Sequence, residues 1–404
     1  MLSSNRAIIS YGWNRIAYAI TQSLGKRGVE VIVGDNSRLS AAGFSKYAYG
    51  RFSYCSFYQD PESFVKEIIN KIKETGTSVY IPCHEEILLV ARYIELFPPE
   101  VVVPIAPFDT LLSAHDKGRL MGIAKDIGIS IPKTLEIGSL DELKPVSEDI
   151  SYPAVIKLKQ SNSAKGVFYA QDQQELIDIY SKTVQKFRLE QRYYPLIQEY
   201  VAGEGWGVSM LYNRGDIRAK FTHRRLREKT YTGGTSTRRI STVNTILEDA
   251  AKRLLDHLEW HGVAMVEFKY DPESKKYWLI EVNPRFWGSL ALAVAAGVDF
   301  PWLLYLMATE GDVEPVLSYQ TGVKARWLLG DVLALISCLR HSNGKLQAVE
   351  GLFSKDDVFD DLCLTDPLPF FVELLYYFSK FVKTRNVNPI DKAMLTIDKD
   401  GTIV

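Results

Sequence analysis

The first hundred residues alternate between short apolar runs and longer amphipathic runs, a pattern that predicts strands interleaved with helices. The runs "RAIISYG" and "VEVIVGD" predict strands, and "WNRIAYAITQSLGKRG" between them predicts a helix that ends at Gly28. The alternation continues through "PESFVKEIINKIKETG", "SVYIPC", "HEEILLVARYIELF" and "VVVPIA". We therefore expect an open α/β domain over residues 1–112.

The middle of the chain has longer strand patterns and fewer helical ones. Strands are predicted in "YPAVIKLK", "YPLIQEYV", "GEGWGVSMLYN" and "DIRAKFTHRRLRE", with a helix from about Gln173 to Lys186. This pattern indicates an α+β module over residues 113–312. Further on, "ARWLLGDVLALISCLR" and "FFVELLYYFSKFV" predict a mostly helical region over residues 313–404.

The composition fits a globular protein and disfavours some partners. With 404 residues, 46% of them hydrophobic, and a net charge of −1, the chain can bury a large core. It lacks the basic surplus that binding to nucleic acid requires. The four cysteines lack CxxC spacing, and "MLSSNRAIIS" does not have the pattern of a signal peptide, so we expect a cytoplasmic protein with reduced thiols.

Two long apolar windows raise the question of a membrane. Asp299 and Pro301 interrupt the first, Leu290–Ala308, and both are costly in a spanning helix, so we expect no membrane span. The second, Leu368–Val382, is shorter and is followed by "KTR". A core or interface helix is the favoured interpretation of the second window, and contact with a membrane surface is the alternative.

The segment "WLIEVNPRFWGS" places polar side chains inside an otherwise apolar strand. Alternate side chains of a strand share a face, so Glu281 and Asn283 project together while Ile280 and Val282 point the other way. A carboxylate and an amide oxygen are therefore expected to converge on one side of the strand.

A second acid is predicted to face the first across a hairpin. The strand "VAMVEFKY" is joined to this segment by the turn sequence "DPESKK", and a hairpin centred on Ser274 sets Glu267 opposite Glu281. Like charges in that position are destabilising unless a cation lies between them or one acid is protonated. Glu267, Glu281 and Asn283 together predict a site for Mg²⁺ beside phosphates, and a solvated hairpin face is the alternative.

Residues suited to phosphate binding occur upstream. The loop Gln160–Val167, "QSNSAKGV", has small residues that let backbone amides approach phosphate oxygens, and it contains Lys165. Just before it, Lys157 interrupts the apolar strand "AVIKL" and needs an anionic partner if it is buried. A lysine on a solvated edge strand is the alternative interpretation of Lys157.

A dinucleotide site in the first domain is a competing hypothesis. The turn at Gly12 carries one glycine where G-x-G-x-x-G is expected, and Asp35 ends the second predicted strand. The signal is therefore incomplete, and NAD binding competes for this domain only.

The order of these motifs resembles the ATP-grasp superfamily, which includes D-alanine:D-alanine ligase, biotin carboxylase and carbamoyl phosphate synthetase. The resemblance covers Ala114 to Gly311 and rests on Lys117, Lys157, the small-residue loop, "QEYVAGE", Glu267 and "EVNPR". It implies an open α/β domain, then a two-lobed ATP-grasp module with its hinge near 198–204, then a helical extension. It also implies ATP and Mg²⁺ as cofactors, with Mn²⁺ as an alternative metal.

The resemblance assigns roles to individual residues. Lys117 of "HDK" and Lys157 look like the lysines that bind ATP phosphates, "SNSAKG" is similar to the mobile lid, and Glu204 looks like the ribose-binding acid. Near the hinge, backbone groups and the side chain of Gln198 or Glu199 are expected to meet adenine. The full set of expected nucleotide contacts is Lys117, Lys157, Ser161, Ser163, Lys165, Gly166, Gln198, Glu199, Tyr200, Val201 and Glu204.

The metal ligands and catalytic groups follow from the same comparison. Glu267, Glu281 and Asn283 match the magnesium ligands. Arg285 matches the position that binds the transferred phosphate or the substrate carboxylate, and Lys157 is expected to assist the transfer. The resemblance therefore places catalysis beside the predicted hairpin.

The basic segment "HRRLREKTYTGGTSTRR" resembles the strand pair and loop near the phosphates in that superfamily. Arg224 or Arg227 is expected to reach the γ-phosphate or an anionic acceptor. We expect Arg238 and Arg239 to lie on a solvated basic hairpin, and His223 to be structural.

The implied activity is that of an ATP-dependent carboxylate-amine ligase working through an acyl phosphate. Met265 and Lys159 depart from the patterns of some superfamily members, and this leaves the acceptor open. A kinase of the same fold and a nucleotide-binding regulatory module are the alternatives. The "CHEE" turn, with Glu85 and Glu86, is one candidate for the substrate wall. The region after Val313 either covers the site or forms a contact in a homodimer.

Overall fold

The computed structural model describes residues 4–161, 166–230, 233–339 and 356–385. Its first part is a four-stranded parallel sheet in the order β3-β2-β1-β4, flanked by helices. The elements of this part are β1 (Arg6–Ile9), α1 (Arg15–Gly25), β2 (Glu30–Asp35), β3 (Ala48–Ser53), α2 (Pro61–Thr75), β4 (Val79–Ile81), α3 (Glu86–Arg92) and α4 (Phe108–His115). The open α/β domain expected from the hydrophobic pattern is present.

A second, antiparallel sheet follows in the order β5-β8-β6-β7. It encloses its own small hydrophobic core, in which Ile156, Tyr180 and Ile197 are fully buried. The elements are α5 (Lys117–Asp126), β5 (Thr134–Leu135), α6 (Leu143–Glu148), β6 (Ala154–Lys157), β7 (Val167–Ala170), α7 (Gln173–Phe187) and β8 (Leu196–Glu199). This sheet forms the first lobe of the middle module.

The third sheet has seven strands in the order β13-β12-β9-β10-β11-β14-β15. Its buried face packs against the first sheet, because Ile8 and Phe64 belong to the same hydrophobic cluster as Val208 and Val266. The elements are β9 (Glu204–Asn213), β10 (Asp216–Thr230), β11 (Gly233–Ser241), α8 (Thr245–His257), β12 (Gly262–Tyr270), β13 (Tyr277–Asn283), α9 (Leu290–Ala295), α10 (Phe300–Glu310), β14 (Lys324–Arg326), α11 (Leu328–Leu339), β15 (Val358–Phe359) and α12 (Leu368–Thr384).

The fold class predicted from the sequence is confirmed, with one addition. The C-terminal region contains the expected helices α11 and α12, but β14 and β15 also extend the seven-stranded sheet. Both strands are too short, at three and two residues, to show a strand period. The division into residues 1–112, 113–312 and 313–404 stays a proposal.

The apolar window Leu290–Ala308 is divided between α9 and α10. Asp299 lies between the two helices, where its carboxylate caps α10 by accepting a hydrogen bond from the Trp302 amide at 3.3 Å. No helix in the described part of the chain is long and apolar enough to cross a membrane.

Candidate functional site

A cavity of about 310 Å³ lies where the three sheets meet. Part of the lining comes from the start of α5, the end of β6, the segment after β8 and the strands β10, β12 and β13. The rest includes the segment between β1 and α1, Trp327 before α11, and α12. These last elements contact one another, since Arg15 lies over the Trp327 ring and Trp13 stacks on Tyr376 of α12, and we call them the far end. Sites at such junctions collect side chains from distant parts of a chain.

The acidic pair predicted from the hairpin faces this cavity. Glu267 on β12 is paired in register with Glu281 on β13, as expected. The amide of Asn283 donates to Glu267 Oε1 at 3.0 Å, and Arg225 on β10 donates to Glu267 Oε2. Lys117 Nζ lies 3.8 Å from Glu281 Oε2. Both carboxylates therefore have a cation beside them.

The hairpin contains a bulge that the sequence did not indicate. Glu267 pairs with Glu281, but the next residue, Phe268, pairs with Leu279, so Ile280 has no counterpart. As a result, Ile280 lines the cavity together with Glu281. The prediction that Ile280 points away was wrong, because a bulge interrupts the two-residue period on which it rested.

Burial shapes the charge states at this end of the cavity. Desolvation raises the pKa of Glu267, Arg225 opposes that shift, and Glu281 adds to it. Desolvation lowers the pKa of Lys157 to about 8, an effect that Glu281 partly offsets. The site thus brings together acids that favour a cation and a lysine that favours an anion.

The donor set at the acidic pair suits a hard divalent cation. Among the described residues, no group of three or more His, Cys, Asp or Glu side chains is arranged to hold a metal ion. The site offers two carboxylates and one amide, and Asn283 uses its nitrogen toward Glu267, which leaves its oxygen for a cation. Such a set fits Mg²⁺ if phosphate oxygens or water complete the coordination.

Lys117 and the segment after β6 form one hydrogen-bonded unit. Lys117 Nζ donates to the carbonyl of Ser161 at 2.9 Å and to its hydroxyl at 3.2 Å. The Lys117 amide donates to the carbonyl of Lys159 at 2.9 Å. Asp116 caps α5 through the amides of Gly118 and Arg119, which fixes where the lysine leaves the helix.

The predicted lid is described only at its ends. Ser163 and Lys165 lie outside the described residues. Gly166 has φ of +67°, and a Cβ there would lie 2.3 Å from Leu158 Cδ1, so this position requires glycine. The Leu158 amide donates to the Gly166 carbonyl at 2.9 Å, which closes the base of the loop.

At the hinge, the structure distinguishes Gln198 from Glu199, which the sequence left as alternatives for the side chain that meets adenine. Glu199, Tyr200 and Val201 line the cavity. Gln198 does not line it, and its amide instead donates to Thr134 Oγ1 at 2.8 Å. Consecutive strand residues face opposite sides, so only Glu199 of the two candidates projects toward the cavity.

The arginine of β10 that lines the cavity is Arg225 rather than the predicted Arg224. Arg224 pairs with Glu204 at 2.8 Å, and neither side chain lines the cavity. Arg225 and His223 line it instead, because they share the other face of β10. The expectation that Arg224 reaches the site is not supported. The ribose-binding role of Glu204 stays a prediction.

The other arginines of the basic segment are paired with acids and are largely buried rather than solvated. Arg238 pairs with Asp357 at 2.7 Å, Arg227 pairs with Asp331 at 3.1 Å, and Arg239 pairs with Asp360. Arg239 is fully buried. The prediction of a solvated hairpin for Arg238 and Arg239 was wrong, because the Asp-rich stretch beyond β14 supplies their partners.

Arg285 and His223 occupy buried positions beside the acidic pair. Arg285 lines the cavity and donates to the carbonyl of Phe286 at 2.9 Å. His223 Nε2 lies 3.2 Å from the Ser289 hydroxyl, and desolvation holds the pKa of His223 well below its usual range. His223 is therefore a neutral hydrogen-bonding group, in keeping with a structural role.

Both acids of the "CHEE" turn accept hydrogen bonds from other residues of the first domain. Glu86 accepts hydrogen bonds from the Ser10 hydroxyl at 2.6 Å and the Cys83 amide at 2.9 Å, and Glu85 accepts one from Tyr58. Neither acid lines the cavity, whereas His84 between Cys83 and Glu85 does. The turn contributes to the wall through a residue that the sequence did not single out.

Gly12 and Asp35, the residues considered for dinucleotide binding, instead make contacts within the first domain. Asp35 accepts hydrogen bonds from the Trp13 amide at 2.8 Å and the Ser37 amide at 2.6 Å. A Cβ at Gly12 would lie 2.4 Å from Ser40 Oγ, so the turn packs closely on its neighbours. This arrangement organises the turn itself and does not support the NAD hypothesis.

The far end of the cavity was not predicted at all. Trp13 and Arg15 from the first domain meet Trp327 before α11 and Glu373 and Tyr377 on α12. Glu373 and Tyr377 of α12 thus form part of the cavity wall, and a homodimer contact of the C-terminal region stays a prediction. The single acid within "LPFFVELLYYFSKFV" was the available signal.

Sequence comparisons agree with this architecture. A family model described as "ATP-grasp in the biosynthetic pathway with Ter operon" matches residues 191–330. The N-terminal section of the carbamoyl phosphate synthase large chain from Methanopyrus kandleri is 26% identical over 55% of this chain and 39% of its own length. The large chain from Thermus thermophilus is 23% identical over 56% of this chain and 22% of its own length. The chain thus matches well under half of each relative.

Solved structures share the fold at low sequence identity. The biotin carboxylase domain of the Hydrogenobacter thermophilus 2-oxoglutarate carboxylase, a dimer with MgADP and bicarbonate, aligns over 79% of this chain and 73% of its own, with TM-score 0.65 and 13% identity. The L-amino acid ligase of Bacillus licheniformis aligns over 78% and 76%, with TM-score 0.61 and 18% identity. The Staphylococcus aureus N5-carboxyaminoimidazole synthetase with ADP aligns over 84% and 85%, with TM-score 0.63 and 14% identity.

Proposed function

We propose that this chain, which is similar in sequence and fold to the ATP-grasp superfamily, is an ATP-dependent carboxylate-amine ligase. The observation that carries the proposal is the cross-strand pair of Glu267 and Glu281. Asn283 lies beside the pair, and Lys117 and Lys157 line the same cavity. Acids for a metal and lysines for phosphates are what bound Mg-ATP requires.

The nucleotide is proposed to lie between the hinge and the acidic pair. Glu199, Tyr200 and Val201 would meet the base through backbone and side-chain groups, while Lys117 and Lys157 would hold the phosphates. Glu267, Glu281 and Asn283 would hold Mg²⁺ there, and the ion would neutralise part of the phosphate charge. Two structural neighbours, the biotin carboxylase domain with MgADP and the N5-carboxyaminoimidazole synthetase with ADP, support this assignment.

The proposed chemistry has two steps. A carboxylate oxygen of the first substrate attacks the γ-phosphorus of ATP, the bond to the bridging oxygen breaks, and ADP leaves. The amine nitrogen then attacks the carbonyl carbon of the acyl phosphate, the carbon–oxygen bond breaks, phosphate leaves, and the nitrogen loses a proton. Arg285 and Arg225 line the cavity and would stabilise the negative charge that develops.

Exclusion of water is the second requirement of such a reaction. An acyl phosphate is hydrolysed if water reaches it, so the cavity must be covered during transfer. α12 covers one end of the cavity. We propose a small carboxylate and an amine as substrates, a cytoplasmic location, and a homodimer as the assembly.

The experiment that tests the proposal is ADP release from Mg-ATP with pooled small carboxylates, with and without hydroxylamine. An acyl phosphate captured by hydroxylamine accumulates as a hydroxamate, and that product is expected. ADP without hydroxamate would instead indicate a kinase. Absence of both in every pool, with ADP still binding, would indicate a nucleotide-binding module.

Lys157 predicts a pH dependence of nucleotide binding. Burial lowers its pKa to about 8, and an anionic phosphate prefers the protonated lysine, so affinity for ADP should fall as the pH rises above that value. Without Mg²⁺, Kd is expected to rise by up to about tenfold per pH unit from pH 8. The phosphate itself is already ionised in this range. Isothermal titration calorimetry between pH 7 and 9.5 measures the change.

The matched control for this pH dependence is Lys157→Arg, which stays charged throughout the range. Desolvation also brings Glu373 and Lys229 to pKa values of about 8, so part of any pH effect can come from them. Only the part of the pH effect on ADP binding that is absent in Lys157→Arg is attributed to Lys157. An identical pH profile in the two proteins would contradict the assignment.

Arg225 and Arg224, neighbours on β10, allow a test variant and a matched control. Arg225→Met removes a cation that lines the cavity and pairs with Glu267, so ADP formation should fall by about a hundredfold. Arg224→Met removes a half-exposed partner of Glu204 outside the cavity, and the rate should stay within about threefold. Steady-state ADP release measures both variants.

Arg225→Lys separates charge from geometry, because lysine keeps the charge but not the planar fork. An intermediate rate is expected. If Arg224→Met proved the more damaging change, the original assignment of Arg224 would be restored and the role of Arg225 rejected.

A further inference from the structure

The far end of the cavity has the chemistry of a binding site for an organic cation. We propose that this end binds the amine substrate, a primary amine carried on an apolar or aromatic body, with Glu373 receiving its ammonium group. The inference rests on the proposed function in so far as that function names an amine as the second substrate. It adds the residues that recognise the amine and the class of amine they fit.

Glu373 is a buried acid on α12. It is the only acidic residue of α12, it is 4% exposed, and it lines the cavity. Within the described ranges, it has no Lys, Arg or His at ion-pair distance. A buried carboxylate without such a partner is costly unless it is protonated or receives a cation from a ligand.

The charges around Glu373 leave room for an added cation. Desolvation, together with Asp361 and Asp360, raises the pKa of Glu373 to about 8, although Arg15 and a side-chain hydrogen bond from Trp327 oppose the shift. Arg15 is itself engaged, since it lies over the Trp327 ring at 4.1 Å and donates to the Gly288 carbonyl at 2.9 Å. An ammonium group beside Glu373 would favour the ionised carboxylate and satisfy it.

Aromatic rings form the walls beside this acid. Trp13, Trp327 and Tyr377 line the same end of the cavity. Trp13 stacks on Tyr376 with ring centroids 5.0 Å apart, and Tyr11 meets Trp13 edge-on at 5.6 Å. Aromatic faces attract organic cations and bury apolar bodies, so the walls fit an amine on an apolar group better than free ammonia.

The site is held in place before any ligand arrives. Asp366, just before α12, accepts hydrogen bonds from the Ser45 hydroxyl at 2.5 Å and the Lys46 amide at 3.0 Å. Its carbonyl accepts from the Tyr18 hydroxyl at 3.1 Å. The helix that carries Glu373 is thereby fixed to the first domain, which lowers the entropic cost of binding.

The proposed amine site also adjoins the transfer site. Arg15 reaches the backbone of Gly288, in the segment that follows Asn283 on β13. A Cβ at Gly288 would lie 2.5 Å from Arg15 Nη2, so a side chain there would displace the Arg15 guanidinium. One cavity therefore contains both the acidic pair and the aromatic end, and an amine bound by Glu373 shares the cavity with the acyl group.

The test uses benzylamine as the probe and benzyl alcohol as its uncharged counterpart. Each is titrated calorimetrically into the full chain saturated with ADP. Benzylamine is expected to bind about tenfold more tightly than benzyl alcohol, because only the ammonium can pair with Glu373. In Glu373→Gln, the affinity for benzylamine should fall by about tenfold, with the affinities for benzyl alcohol and ADP unchanged.

Two further variants complete the test. Glu310→Gln makes the same chemical change at an exposed position and should leave benzylamine binding unaltered. Tyr377→Leu removes part of the aromatic wall and should weaken both probes. The inference is overturned if benzylamine does not bind, if Glu373→Gln binds it as well as the parent chain does, or if Glu373→Gln loses ADP binding too.

This test does not depend on turnover, so the two proposals can fail separately. Hydroxamate formation without selective benzylamine binding would support the ligase and reject the amine site. Selective benzylamine binding without any hydroxamate would support the cation site and reject the ligase.

Discussion

Replacing Glu281 with alanine is expected to lower Mg²⁺-dependent ADP formation by about a thousandfold while the protein stays folded. Glu281 faces Glu267 across the hairpin, and its carboxylate lies 3.8 Å from Lys117 Nζ. Its side chain is 27% exposed, so the truncation opens no large buried cavity. The loss should therefore fall on metal binding and phosphate transfer rather than on stability.

The measurement is the steady-state rate of ADP release at several Mg²⁺ concentrations, with a thermal unfolding curve for each protein. Glu273→Ala provides the control, because Glu273 is an exposed acid in the turn of the same hairpin. The control should match the parent chain in both measurements. Unchanged turnover in Glu281→Ala would reject the metal assignment and, with it, the main support for the proposed function.

Replacing Asp360 with alanine is expected to lower the free energy of unfolding by about 3–5 kcal/mol. Asp360 pairs with the fully buried Arg239, and Arg15 lies 3.5 Å away. Without the carboxylate, the Arg239 guanidinium remains in a buried position with its principal partner gone. The cost comes from the desolvated charge that is left behind.

Thermal and denaturant unfolding, followed by tryptophan fluorescence, measures this loss of stability. Lys252→Ala provides the control, because Lys252 forms an exposed pair with Asp256 and its side chain is 51% exposed. That change should cost no more than about 1 kcal/mol. Equal effects of the two substitutions would show that the buried network contributes little.

Glu267 and Glu281 do face each other, as predicted, but the turn alone does not set that pairing. On the turn side, Phe268 pairs with Leu279. That register, continued by one residue, would set Glu267 opposite Ile280. The bulge at Ile280 shifts the register by one residue and brings Glu281 opposite Glu267. No glycine or other local signal marks this bulge in the sequence.

The basic segment shows how local reasoning fails for charged residues. Five arginines around a Gly-Gly turn have the pattern of a solvated hairpin, yet Arg239 is fully buried. Its partner Asp360 lies more than a hundred residues further along the chain. Whether a charge can be buried depends on its partner, and no periodicity in the sequence predicts a pairing at that separation.

The sequence by itself determined the α/β pattern of the first domain and the choice of Glu267, Glu281, Asn283 and the two lysines as candidates, because strand period and motif order are encoded within short stretches. Only the tertiary structure decided that Arg225 rather than Arg224 enters the cavity and that Glu199 rather than Gln198 lines the hinge. It also decided that Glu373 closes the far end. These outcomes depend on which faces of distant elements pack together, and that is a property of the whole folded chain.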